Sequence, residues 1–215
     1  MKVLITGFEA FGNDKLNSSA EIVYRLPDKL NDILLIKKII PTVFNKSAEM
    51  LKKEIDSHKP DIVICVGQAG GKDRKKIAVE RVAINIDDAR IADNEGNRPL
   101  DKIIQENGST AYFSTLPIKA IYSELIKNNI PTEISNSAGT FVCNHIMYQS
   151  LYLSNTKYNF KTGFIHIPYI KEQVHDDQTP YIEIEKLVQA IKIIISTSLE
   201  YHNKSDLLLE AGKEY

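Results

Sequence analysis

Cysteine is scarce: two residues in a chain of 215 allow one disulfide at most, which excludes a disulfide scaffold. Cys65 stands inside the strand-like run Asp61-Ile62-Val63-Ile64-Cys65-Val66, where a buried free thiol is the better reading. An excess of charge of one sign is lacking too. Lysine and arginine total 27 against 28 acidic residues, a formal net charge of −1 that offers nucleic acid no basic stripe. No apolar run approaches the roughly 18 residues a membrane helix needs. No His, Cys or carboxylate cluster has zinc-ligand spacing, which argues against a metal mechanism, and no cofactor is expected. Repeats, low-complexity blocks and interdomain linkers are missing as well. The opening Met1-Lys2-Val3-Leu4-Ile5-Thr6 leads straight into Gly7-Phe8-Glu9 and reads as a first strand, not a signal peptide. These absences suggest a protein of the reducing cytoplasm.

What is present fits one globular domain, with 43% hydrophobic and 26% charged residues. Strand patterns alternate with helix patterns. Strands are expected at 2–6, 33–40, 61–66, 132–135 and 161–167, and a longer one at 76–84. Helices are expected at 19–26, 43–58, 118–127 and 142–153, with a long one opened by Thr179 as N-cap and Pro180 at the first helical position. The fold class is α/β: a single-domain three-layer α/β/α arrangement over residues 1–202 with a central, mostly parallel twisted sheet. Residues 203–215 read as a weakly ordered tail. The stretch 87–100 is the longest polar connection, with a turn signal at Asn94-Glu95-Gly96-Asn97.

Three residues stand out chemically. In Ser137-Ala138-Gly139-Thr140-Phe141-Val142-Cys143-Asn144-His145, small turn-forming residues give way to an apolar run, so Cys143 falls in the first turn of a helix. Backbone N–H groups there lack intrahelical partners and the dipole is positive, which stabilises a thiolate nucleophile. His166 sits at the exit of the apolar strand ended by Pro168. Strand alternation over 76–84 places Ala78, Glu80, Val82 and Ile84 on one face, leaving Glu80 as a carboxylate among apolar neighbours. Burying it unpaired costs several kcal/mol, so a cationic or hydrogen-bonding partner is required, and an imidazolium would serve. Cys143, His166 and Glu80 then supply nucleophile, base and orienting acid. The plain alternative is that Cys143 is a small apolar filler.

The ordered set Gly7-Phe8-Glu9-Ala10-Phe11-Gly12, Gly67-Gln68-Ala69-Gly70-Gly71, Glu80-Arg81-Val82-Ala83, Ser137 to Asn144 and Gly163 to Pro168 resembles the pyroglutamyl peptidase type I family of cysteine peptidases, over nearly the whole chain. The resemblance implies removal of an N-terminal pyroglutamyl residue from peptides through a thioester, with Cys143 as nucleophile, His166 as base and then acid, and Glu80 as orienting group. It also implies that Phe8 and Phe11 line the pocket for the pyroglutamyl ring, that Arg90 lies near the scissile carbonyl, and that the protein is a homo-oligomer, a tetramer. Phe141 and Val142, next to the nucleophile, are placed among the substrate-binding residues. The family pattern has proline where this chain has Ala10, and Asn-Pro-Ser where it has Asn17-Ser18-Ser19.

Other signals have two readings. Gly7 to Gly12 follows a strand but has neither a Walker lysine nor Rossmann glycine spacing, so its phenylalanines suit an apolar ring better than a phosphate, or simply pack in the core. Gly67 to Gly71 ends a parallel-type strand, where ligands approach open α/β sheets; Gln68 either meets a lactam there or belongs to a flexible turn. His145, two residues after Cys143 on one helix, points away from it and is a poor base for that thiol. A phosphorylase-like transferase and a non-catalytic binding protein remain as rival functions.

Overall fold

The computed structural model describes residues 1–12 and 14–212. In chain order its elements are β1 (Lys2–Phe8), α1 (Ser18–Arg25), β2 (Lys29–Leu30), β3 (Ile33–Ile40), α2 (Lys46–His58), β4 (Ile62–Gln68), β5 (Ile77–Glu80), β6 (Val82–Ile84), β7 (Ala111–Phe113), α3 (Ile118–Lys127), β8 (Thr132–Ser135), α4 (Val142–Thr156), β9 (Lys161–Ile167) and α5 (Ile184–Glu200). A seven-stranded sheet of order β2-β3-β1-β4-β9-β5-β8 forms the middle layer. Strands β3, β1, β4 and β9 are mutually parallel, whereas β5 lies antiparallel to β9 and carries β8 parallel to itself. β6 and β7 make a separate antiparallel ribbon.

Alternation along the strands explains the two cores. Successive side chains point to opposite faces of a sheet. Val3 and Ile5 of β1, Ile62, Ile64 and Val66 of β4, Ile77 and Val79 of β5, and Ile165 and Ile167 of β9 pack with α1, α3 and α5. Leu4 and Phe8, Val63 and Cys65, and Phe164 face the other way, onto α2 and α4. By the same parity Glu80 and His166 belong to the α4 side. Helix α5 presents Leu187, Ile191, Ile194 and Ile195, all fully buried, each stabilising by about 1.5–3 kcal/mol relative to exposure.

The structure differs from the sequence expectations at several places. The expected strand over 76–84 breaks at Arg81, whose N–H donates to Ser135 O while its carbonyl accepts from Ser114 N–H. β6 therefore leaves the main sheet, and Val82 and Ile84 do not continue the face that carries Glu80. The last helix starts at Ile184 rather than after Thr179. The Asp176 carboxylate takes the Gln178 and Thr179 N–H groups at 2.7 Å each, and Tyr181 bridges Tyr169, so Pro180 lies in a turn before the helix. Helix α2 begins at Lys46, after Asn45 in the left-handed region at φ 60°. The turn at 94–97 is held by Asp93, whose Oδ1 accepts from the Glu95 and Asn97 N–H groups. In the segment read as a weakly ordered tail, the Asp206 carboxylate accepts from the Lys119 and Ala120 N–H groups at 2.9 Å each, capping α3, and Ala211 packs on the core. Residues 213–215 of that tail lie outside the described residues.

Candidate active site

Cys143 is the second residue of α4 and is partly buried. The helix is entered through Gly139, whose φ of +79° is a conformation that side chains disfavour, and Phe141, which is extended. Phe141 supplies no side-chain cap, and the first intrahelical bond runs from His145 N–H to Phe141 O. The N–H groups of the first turn are thus left over beside the thiol. A second glycine makes room for the sulfur. A Cβ at Gly67, on the pocket end of β4, would stand 3.1 Å from Cys143 Sγ and 2.6 Å from the Phe164 ring.

His166 lies one position from the end of β9, and register brings Glu80 to it. Ala78 pairs with His166 across the antiparallel β5–β9 ladder, so Glu80, two residues on, is the diagonal neighbour on the same face, within reach of a long side chain. His166 Nδ1 stands 2.7 Å from Glu80 Oε1, and Glu80 is 1% exposed. Its second oxygen, Oε2, is buried without a hydrogen-bond partner among the described residues. With Nδ1 turned to the carboxylate, Nε2 remains for the thiol. Burial works against a charged imidazole, but the coulombic and hydrogen-bond effects of Cys143, joined by those of Glu80, outweigh it and hold His166 up to about 10. The site therefore favours an imidazolium facing sulfur.

A cavity of about 200 Å³ opens at this group, lined by Cys143 and His166 together with Phe8, Phe11, Gln68 and Phe141 of the expected set. Phe11 and Phe141 rings stand 6.3 Å apart, and Phe44 meets Phe141 edge-on at 5.3 Å. A far larger depression of about 1060 Å³ between 113–119 and 201–208 has His202 and Asp206 in its lining, and no cysteine among the described residues that line it.

Three expected residues sit otherwise than a direct substrate role requires. Val142 is fully buried in the core, because position 142 faces the sheet when 143 faces the pocket. The Gln68 carboxamide is already engaged: Oε1 accepts from Ser18 N–H at 2.9 Å and Gln173 Nε2 at 2.7 Å, and Nε2 donates to Asp14. Arg90 is exposed and is not among the residues lining the cavity. The Gln68 bonds also give Ser18 a purpose, since a proline there would have no N–H to donate.

Sequence reasoning missed Asn17, Thr42 and Arg74, which line the cavity as well. Asn17 Nδ2 and Thr42 Oγ1 both donate to Glu9 O, at 3.1 and 2.9 Å, and so fix the loop that carries Phe11. The N-cap position of Asn17, before an apolar periodic run, was a usable signal for it. Thr42 and Arg74 had none.

His145 forms a second histidine–carboxylate pair, Nδ1 to Asp87 Oδ2 at 2.8 Å, on the far side of α4. Among the described residues no group of three His, Cys, Asp or Glu side chains is placed to hold a metal ion. No helix there is long and apolar enough to cross a membrane.

The family model described as pyroglutamyl peptidase matches residues 1–201. A pyrrolidone-carboxylate peptidase of Brachyspira hyodysenteriae is 56% identical over 201 residues, covering 93% of this chain and 99% of that one. The solved pyroglutamyl peptidase I of Bacillus amyloliquefaciens superposes with a TM-score of 0.92 at 42% identity, over 97% of this chain and 99% of that one. The pyrrolidone carboxyl peptidase of Thermococcus litoralis gives 0.93 at 37% identity, with the same coverage. On sequence and fold alike, the chain belongs to the pyroglutamyl peptidase family.

Proposed function

We propose that this protein hydrolyses the bond after an N-terminal pyroglutamyl residue, with Cys143 as nucleophile, His166 as acid and base, and Glu80 as the group that orients His166. The observation that carries the reading is the 2.7 Å His166–Glu80 contact, made on the sheet face where α4 delivers Cys143 from its N-terminal turn.

The Cys143 thiolate attacks the pyroglutamyl carbonyl carbon, and the carbonyl electron pair moves onto oxygen. Unpaired N–H groups of the first turn of α4 meet that oxyanion, a contribution on the order of 3–4 kcal/mol where one such donor has been removed from an enzyme. His166 Nε2 gives its proton to the leaving nitrogen, the C–N bond breaks, and a thioester remains. His166, now neutral, takes a proton from water as it attacks; free pyroglutamate leaves and the thiolate–imidazolium pair returns. Arg90, exposed and off the cavity, is given no step.

Phe8, Phe11 and Phe141 form an apolar slot suited to an uncharged lactam ring. An ordinary N-terminal ammonium entering it without a partner loses hydration uncompensated. The reading extends to a homo-oligomer, a tetramer, working in the cytoplasm. Two free cysteines, one fully buried beneath the site, suit a reducing compartment.

Release of a chromogenic amine from a pyroglutamyl amide, with and without iodoacetamide, tests the proposal. Release abolished by labelling at Cys143 is the expected result. Release that survives complete labelling would leave the substrate standing and overturn the nucleophile.

A further inference from the structure

We infer that Arg74 sets a preference for pyroglutamyl peptides whose next residue is acidic, an inference that rests on the peptidase reading above. The cavity of about 200 Å³ is smaller than the ~300 Å³ at which pockets for larger ligands begin. The lactam ring and the scissile bond fill it, and the leaving residue lies at its mouth. Burial tells the two ends apart: Phe8, Ala138 and His166 are its buried walls, whereas Arg74, Ser137 and Gly139 are exposed.

Among the described residues Arg74 is the one permanently charged side chain in that lining, and no carboxylate lines the cavity. Its backbone N–H bonds Gly71 O. Among the described residues its guanidinium has no ion-pair or hydrogen-bond partner. The same β4–β5 connection carries Lys72, Lys75 and Lys76, all exposed, against the single acid Asp73. Asp14 and Asp176 are engaged with other partners: Asp14 accepts from Gln68 Nε2 at 3.1 Å, and Asp176 takes the N–H groups of its own turn. A planar guanidinium with free N–H groups at the exit of the site matches a substrate carboxylate. Because that contact forms on binding and persists through bond cleavage, it lowers KM and leaves kcat alone.

The test compares pyroglutamyl-glutamic acid α-amide with the glutamine and lysine analogues, so that the peptide's own terminal carboxylate is absent. At low salt the glutamic acid substrate has a kcat/KM about 3- to 5-fold above the glutamine one, the size an exposed ion pair gives, and lysine is the poorest. The difference sits in KM and shrinks as salt is added. Arg74→Ala brings the glutamate-to-glutamine ratio near one, Arg74→Glu inverts it, and Arg74→Lys keeps part of it. A ratio of one in the unaltered enzyme, or a ratio unchanged in Arg74→Ala, overturns the inference while the pyroglutamyl reading stands. No amine released from any of the three overturns that reading itself.

Discussion

Two buried histidines of this molecule each lean on a buried carboxylate, and only one faces a thiol. His166 meets Glu80 at 2.7 Å and His145 meets Asp87 at 2.8 Å, both through Nδ1. Each carboxylate keeps one buried oxygen without a hydrogen-bond partner among the described residues, Glu80 Oε2 and Asp87 Oδ1. The difference lies at the other ring nitrogen. His145 Nε2 accepts the Asn45 N–H at 3.3 Å, and Phe44 meets the ring edge-on at 5.7 Å. Both nitrogens of this ring are therefore taken by structural partners. His166 turns Nε2 toward a thiol instead. A histidine–carboxylate pair is thus a clamp or a base according to what faces its second nitrogen. Helical geometry sorts the two: Cys143 and His145 lie about 200° apart around α4, one toward the pocket and one toward the 85–104 segment.

The strongest way to break this comparison is to delete each ring. His166→Ala, like Cys143→Ala, should lower kcat at least about 10³-fold while thermal unfolding stays near that of the parent, since in the proposed mechanism the two act as one unit, nucleophile and base. His145→Ala should do the reverse. It strands the Asp87 charge in a buried site and costs about 3–5 kcal/mol of stability, seen as a lower urea midpoint, while kcat of the folded fraction falls less than ~10-fold. Equal losses of kcat in the two alanine variants would end the distinction.

Much of the placement of Cys143, His166 and Glu80 was legible because strand parity and helix phase are short-range rules. Alternation put Glu80 on an apolar face needing a partner, the small-residue entry put Cys143 in a first turn, and Pro168 marked the strand end beside His166. What escaped depended on distant partners. The β-pattern over 76–84 runs on past Arg81, and only the pull of Ser135 and Ser114 on its backbone shows that the chain changes sheets there. Pro180 is the exception, a local one: Thr179-Pro180 has the form of a helix start, yet the Asp176 carboxylate two and three residues before takes the Gln178 and Thr179 N–H groups and holds a turn instead. Gln68 sits at a ligand-prone strand end, yet Ser18 and Gln173 claim its oxygen from 50 and 105 residues away. His145 could be excluded as a base from helix phase alone, but its pairing with Asp87 spans 58 residues and left no local trace.

Neutralising each carboxylate sharpens the comparison with a smaller effect. Glu80→Gln should cost about 10²-fold in kcat, and Asp87→Asn less than about 5-fold, because in the proposed mechanism only the first carboxylate stabilises an imidazolium that takes part in proton transfer. The pH profile separates them further. His166 is held up to about 10, so the acid that the proposed mechanism asks of it is lost only as pH rises through that value. Glu80→Gln should move this alkaline limb of kcat/KM to lower pH, and Asp87→Asn should leave it in place. The stability linkage has the same sign: with the folded value raised above 6.5, protonated His166 contributes fully below 6.5 and the contribution disappears as pH climbs through about 10. A limb that stays put in Glu80→Gln would mean that Cys143 alone holds the proton on His166.

The smallest effect probes whether the two pairs are independent. Phe44 touches both sides, meeting His145 at 5.7 Å and Phe141 of the pocket wall at 5.3 Å, each ring nearly perpendicular. It also hangs from the 94–97 turn through the bond from its N–H to Asp93 Oδ2 at 3.0 Å. Phe44→Leu keeps an apolar side chain but gives up both edge contacts, at about 1–2 kcal/mol of stability. If the clamp around His145 props the substrate slot, KM for a pyroglutamyl amide should rise about 2- to 5-fold with kcat unchanged, because Phe141 loosens while Cys143, His166 and Glu80 keep their places. An unchanged KM would show that the slot is shaped by Phe8 and Phe11 alone. The His145 pair would then serve only to fasten α4 to the 85–104 segment, and the two histidines would share a motif without sharing a task.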